Sequence, residues 1–148
     1  MRAMRVHELG AGLVLDDVPR PRPGPGQVLL RVHACGVNFA DTLLVRGRYQ
    51  EKPALPFAPG MEVCATVEAL GDGVEGPQPG TRVAANCGAG GFADYAVANA
   101  GACVAVPDSM TTSASIIEYG PISTFESISA FESTIAVGCI MIFPQKWP

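Results

Sequence analysis

At 148 residues the chain has room for one domain with a short appendage. It is 48% hydrophobic and 16% charged, too apolar for a disordered protein and ample for a packed core. A net charge of −4 with no basic block argues against nucleic acid as a partner.

The 17 glycines and 13 prolines predict many turns, and so short strands rather than a helical bundle. Arg2 and Arg5 lie near the start, but no apolar stretch follows them, so no secretory leader is expected. Arg2–Val6 and Leu13–Val18 are paired candidates for a first hairpin, and the Pro/Gly-rich segment 19–26 connects onward. Val28–Ala34 interleaves polar with apolar residues and predicts a strand. Asn38 can cap a short helix with Ala40, Leu43 and Leu44 on its apolar side. Pro53, Pro56 and Pro59 then force an extended loop. Four more strands are expected over Met61–Leu70, Arg82–Asn86, Phe92–Ala98 and Ala102–Val106. The expected fold is β-rich, all-β or α+β, and closes into a partly open barrel.

Residues 111–148 differ in kind. They carry few charges, and Ile122–Ser127 is nearly repeated as Ile128–Ser133. A period of six could alternate as a strand, but it is also a low-complexity pattern. The longest apolar run, 135–143, is broken by Gly138 and falls short of the roughly 20 residues a spanning helix needs, so no membrane partner is expected. Five cysteines without a C-x-x-C pair suit reduced thiols in the cytoplasm, with an organelle also open.

Gly71-Asp72-Gly73-Val74-Glu75-Gly76 matches the G-x-G-x-x-G dinucleotide pattern by letter. That pattern works only where a helix starts at its end and offers its N-terminus to the pyrophosphate. Pro77, Pro79 and Gly80 forbid a helix there, so a turn between strands is expected. The Gly88–Gly91 loop reads as a second turn.

The run Ala34-Cys35-Gly36-Val37-Asn38-Phe39-Ala40-Asp41-Thr42-Leu43, with 47–53 and Leu55-Pro56-Phe57-Ala58-Pro59-Gly60-Met61-Glu62, resembles the zinc-free quinone oxidoreductases of the medium-chain dehydrogenase/reductase superfamily. Residues 67–74 and 80–83 also follow that family. The resemblance ends near Met110. It implies a GroES-like N-terminal domain of the alcohol dehydrogenase type over 1–110, leaving 111–148 as an unassigned tail, read as truncated or aberrant. It further implies NADPH as cofactor and a small quinone or enone as substrate. A homo-oligomer is compatible with it.

The same resemblance places Asn38, Asp41 and Tyr49 in the pocket, with Asn38 and Tyr49 against the nicotinamide. Without a metal, neutral donors must stabilise charge developing on the acceptor's oxygen. Asn38 offers an amide and Tyr49 a hydroxyl, while Asp41 would orient Asn38 or backbone groups. Each has a plainer reading. Asn38 caps the helix, Asp41 sits in its first turn, and Tyr49 packs. A second tyrosine of the family's pocket is replaced here by Leu43.

No metal is expected. In the superfamily's zinc enzymes a cysteine stands where Cys35 does and a histidine where Met61 does. Cys35 with Glu62 makes only two ligands, where catalytic zinc takes three. Cys35, Cys64, Cys87 and Cys103 read as small core residues, and His7 and His33 as surface or half-buried. No Gly-rich nucleotide fingerprint opens a helix, so the chain alone should bind NADPH poorly. Two functions follow: the catalytic portion of an NADPH-dependent quinone reductase, inactive alone, or a non-catalytic binding module.

Overall fold

The computed structural model describes residues 1–106 and 139–142. Strands β1 (Arg2–Arg5) and β2 (Val14–Asp17) form an antiparallel hairpin with Arg2 opposite Asp17. Strand β3 (Gln27–Val37) follows, then helix α1 (Phe39–Val45), β4 (Glu62–Leu70), β5 (Arg82–Asn86), β6 (Tyr95–Asn99) and β7 (Cys103–Ala105), with β8 at Cys139–Ile142. The larger sheet has six strands in the order β6-β3-β4-β5-β7, with β8 also on β3. The fold is β-rich and its larger sheet is built from antiparallel pairs.

Each strand carries its burial in its alternation. On β5, Val83 and Ala85 are buried while Ala84 and Asn86 are exposed. On β4, Val63, Ala65 and Val67 point inward. These residues meet Val28, Leu30 and Val32 of β3 in the main core, together with Met4, Phe92, Ala96 and Ala98. Fully burying one such aliphatic side chain contributes about 1.5–3 kcal/mol.

β3 runs three residues past the predicted strand, to Val37. Pairing with β4 to Cys35 and with β8 to Val37 accounts for the extension, and the β3–β4 pairing carries two register shifts, at Leu29/Leu30 and Val32/Ala34. Each bulge bends the strand and increases its twist, so the sheet coils rather than running flat. β6 lines one edge of β3 along Gln27–Arg31, and β8 takes the same edge further on, along Ala34–Val37.

Two expectations shift in detail, while the turn expected at Gly71–Gly76 is present. β6 starts at Tyr95, not Phe92, because Phe92 and Ala93 turn toward the hairpin: Ala93 bridges Ala3, and Met4 N–H donates to Phe92 O at 2.8 Å. The helix buries Asp41, Leu44 and Val45, whereas Ala40 and Leu43 are only half-buried. Gly71–Gly76 forms a turn with no helix behind it, tied down by Gly71 N–H to Gln27 O at 2.8 Å. The hexapeptide repeat lies outside the described residues. Of the segment 111–148, only the backbone of Cys139–Ile142 is described, as a strand.

Candidate functional site

The last residues of β3 deliver Asn38 to the N-cap of α1, with extended φ and ψ of −108° and 159°. Three residues on, Asp41 turns its carboxylate back. Its Oδ2 accepts the Asn38 N–H at 2.9 Å, which satisfies one of the donors a helix start leaves open. Its Oδ1 accepts the Gly60 N–H at 2.8 Å. Asp41 is the one buried charged residue among those described, 2% exposed. Burial pushes its carboxyl above the ordinary range, and nearby Glu62 adds to that, while the two backbone N–H groups oppose it.

Gly60 lies in the loop before β4 with φ of +92°, a conformation that favours glycine. A Cβ there would sit 2.5 Å from Phe92 Cδ1 and 2.8 Å from Cys35 Sγ. This packing fixes Met61 and Glu62 just beyond. Glu62 is exposed at the start of β4, and its Oε2 accepts from Asn38 Nδ2 at 3.1 Å. A carboxylate accepts only, so it is the nitrogen end of the Asn38 amide that faces it.

The site is thus three polar residues tied across 24 positions of sequence: Asn38, Asp41 and Glu62, with Gly60 as the hinge of the set. Asp41 acts on backbone groups. It holds Asn38 through the main chain, not through the side-chain amide. Tyr49 is placed differently: beyond the far end of α1, half-buried, its ring packs on the second core cluster of Val6, Leu44, Val45, Phe57 and Met61. By sequence Glu62 stands out only as a zinc ligand. The neighbouring Gly60-Met61 motif is the available signal for its place beside Asn38.

The cysteines follow burial. Cys35 is fully buried in the main core, with Gly60 and Gly91 closing over its Sγ. Burial drives its thiol far above the ordinary range, and the neighbouring Cys87 and Asp41 push the same way. Cys87 is half-buried, and burial pushes its thiol up to about 11. Its Sγ lies 3.3 Å from the carbonyl oxygens of both Gly60 and Met61. The Gly88–Gly91 loop is a turn, as its composition suggests, and also a lid on Cys35, since a Cβ at Gly91 would meet that sulfur at 2.7 Å. His7 is exposed beside Asp16 at 2.7 Å, and His33 is half-buried with its Nε2 2.7 Å from Thr66 Oγ1. Among the described residues no cluster of three or more His, Cys, Asp or Glu side chains is placed to hold a metal ion. No helix among them is long and apolar enough to cross a membrane.

Residues 24–108 match the family model described as the alcohol dehydrogenase GroES-like domain. The chain belongs to that family. It is 41% identical over 114 residues to the quinone oxidoreductase of Rattus norvegicus, which covers 74% of the chain and 35% of the relative. It is 49% identical over 83 residues to quinone oxidoreductase-like protein 2 of the same organism, covering 55% and 23% respectively. Among solved structures it is similar to the quinone oxidoreductase of Thermus thermophilus, solved also in complex with NADPH. That likeness has a TM-score of 0.64 and 38% identity over 75% of the chain and 34% of the other. The GroES-like chain therefore spans about a third of the length of the first curated relatives it matches, 35% and 31% of them. It is quinone oxidoreductase-like over that span.

Proposed function

We propose that this GroES-like domain is the acceptor-binding part of a zinc-independent reductase of quinones or enones that draws its hydride from NADPH. The observation that carries the reading is a coincidence in the chain. The segments similar to the quinone oxidoreductases are those that build the Asn38–Asp41–Gly60–Glu62 arrangement. Asn38 keeps a second N–H on Nδ2 after donating to Glu62, and that donor suits a quinone carbonyl. Tyr49 would wall the pocket from the second core cluster.

Zinc-free chemistry is supported by the ligand set. A zinc ion at Cys35 needs the thiolate, which burial strongly opposes. Met61 is packed into the second cluster, and its thioether is a poor zinc ligand. The dinucleotide does not fit the described residues equally well. The G-x-G-x-x-G stretch is a turn without a helix behind it, so these residues offer no cradle for a pyrophosphate. The domain's own task is to bind and orient the acceptor.

A titration of the 15N-labelled chain with a tetramethylated benzoquinone, whose methyl groups block thiol addition, tests this. Amide shifts should concentrate at Val37–Asp41, Tyr49 and Gly60–Glu62, and weaken in Asn38→Ala. Shifts spread over the sheet, or unchanged in that variant, would remove the assignment. NADPH added to the same sample should leave the amides of Val37–Asp41, Tyr49 and Gly60–Glu62 unchanged.

A further inference from the structure

The outer face of the larger sheet gathers several charges. The registers place Tyr95, Arg31, Thr66 and Arg82 in one row across β6, β3, β4 and β5. Alternation turns all four to the side away from the main core, since their neighbours Ala96, Leu30, Val32, Ala65, Val67 and Val83 are buried. His33 lies two residues along β3 on the same face, with its Nε2 2.7 Å from Thr66 Oγ1. Arg20 reaches in from the loop after β2. Its guanidinium stacks 3.8 Å from the centroid of the Tyr95 ring and pairs with Glu68 at 2.7 Å.

Three guanidinium groups thus share a face, and among the described residues Glu68 is the carboxylate paired with Arg20 and nearest Arg31, on a chain whose net charge is −4. Glu68 does not satisfy both its neighbours. It forms an ion pair with Arg20 at 2.7 Å, while its Oε2 stands 3.8 Å from Arg31 Nε, beyond hydrogen-bond reach. Arg31 Nε is the one buried side-chain polar atom among the described residues without a hydrogen-bond partner. An orphaned buried donor of this kind calls for an acceptor. The cations also bear on His33 directly. Burial lowers its pKa first, and the charges of Arg31 and Arg82 lower it further. Cys64 and Glu62 are the remaining titratable groups on this face of β4. Glu62 is engaged with Asn38.

We propose that this face is a binding site for a phosphate-type oxyanion, held between Arg31 and Arg82 over the Thr66–His33 pair. Guanidinium groups are suited to it because they are permanently charged and present planar, paired donors. The Thr66 hydroxyl adds a neutral donor, and His33 becomes a further one when protonated. Glu68 limits the affinity by competing for Arg31. The site is independent of the quinone reading, because none of its residues belongs to the Asn38 site.

His33 is the reporter, and the chain has only one other histidine, His7. Ring resonances of both are followed against pH in the full chain, in inorganic phosphate and in chloride of equal ionic strength. A bound oxyanion offsets the two arginines, so phosphate should raise the His33 midpoint and leave that of His7 where chloride puts it. Arg82→Gln should weaken phosphate binding about tenfold, the loss of one charge-assisted contact. Glu68→Gln, a change outside the core, should tighten it. A parallel arm with adenosine monophosphate separates the source: equal response assigns phosphate alone, and tighter binding assigns a nucleoside-borne phosphate. A His33 midpoint that phosphate and chloride move equally, or a phosphate response unaltered by both variants, would overturn the site.

Discussion

Asp41 and Gly60 are joined by one hydrogen bond of 2.8 Å, from the Gly60 N–H to Asp41 Oδ1, buried from solvent and spanning 19 residues. It ties the first turn of α1 to the loop that leads into β4. Because Asp41 also takes the Asn38 N–H, a single carboxylate sets the relative position of Asn38 and Glu62. The candidate site depends on this staple more than on any contact between its own side chains.

Asp41→Ala should therefore cost stability out of proportion to its size. Two backbone N–H groups lose their acceptor, and an orphaned buried donor costs about 1–3 kcal/mol. A loss of about 3 kcal/mol in urea unfolding is expected on that basis, with the amide shifts of Gly60 and Asn38 moving most. A loss under about 0.5 kcal/mol, the range of ordinary surface changes, would mean water replaces the carboxylate without penalty.

The same carboxylate should mark the pH profile. Its folded-state pKa is raised, so between the unfolded value and the raised one the folded protein holds the extra proton. Stability from this group is fully present below the unfolded value. It falls as pH rises through that window and levels off above the folded pKa. The slope from one proton cannot exceed about 1.4 kcal/mol per pH unit. Urea midpoints against pH should show this component in the wild type and lack it in Asp41→Asn. The opposite slope would place Asp41 with carboxylates stabilised in their charged form.

Gly60 and Gly80 separate backbone strain from crowding, because their φ values are nearly equal, +92° and +91°. A Cβ at Gly80 meets nothing within 4 Å, whereas one at Gly60 meets Phe92 Cδ1 at 2.5 Å and Phe92 N at 2.7 Å. Gly80→Ala should cost about 1–2 kcal/mol, the left-handed penalty alone. Gly60→Ala adds the clash with a main-chain atom that cannot swing away, and should exceed it by at least about 2 kcal/mol. Thermal unfolding of the two variants compares them directly.

Thiol labelling should follow burial. At pH 8 a thiol with its pKa at about 11, as at Cys87, is ionised to about one part in a thousand, and Cys35 is pushed higher still. In native protein Cys64 should react with a disulfide reagent well before Cys87, and Cys35 last. Peptide mapping after timed quenching gives the order. Early modification of Cys35 would mean that the Gly60–Gly91 cover opens readily.

Local pattern made much of this protein legible from its residues. Alternation of Val, Ala and Arg placed β4, β5 and β7 within a residue or two, because a strand half-buried in a barrel must repeat every second position. Pro77, Pro79 and Gly80 were enough to reject a nucleotide loop at Gly71–Gly76, since a helix start is a local matter of φ and N–H groups. Asn38 as a helix cap followed from its own side chain and the run behind it.

Other features rested on contacts between distant segments, which no local pattern encodes. β3 outlasts its predicted end because β4 pairs it to Cys35 and β8 pairs it along Ala34–Val37. Phe92 reads as strand but turns aside because the β1 hairpin takes its carbonyl. By its own residue pattern Asp41 is a first-turn carboxylate at the helix dipole, and the resemblance adds a role in orienting Asn38 or backbone groups without saying which. Only the approach of Gly60 makes it a buried staple. Glu62 reaches Asn38 for the same reason. The sequence alone determined which residues are polar, which are glycine and where strands run. Tertiary packing decided which of them meet, because hydrogen bonds such as Asp41–Gly60 join groups whose separation along the chain says nothing of their distance in the folded protein.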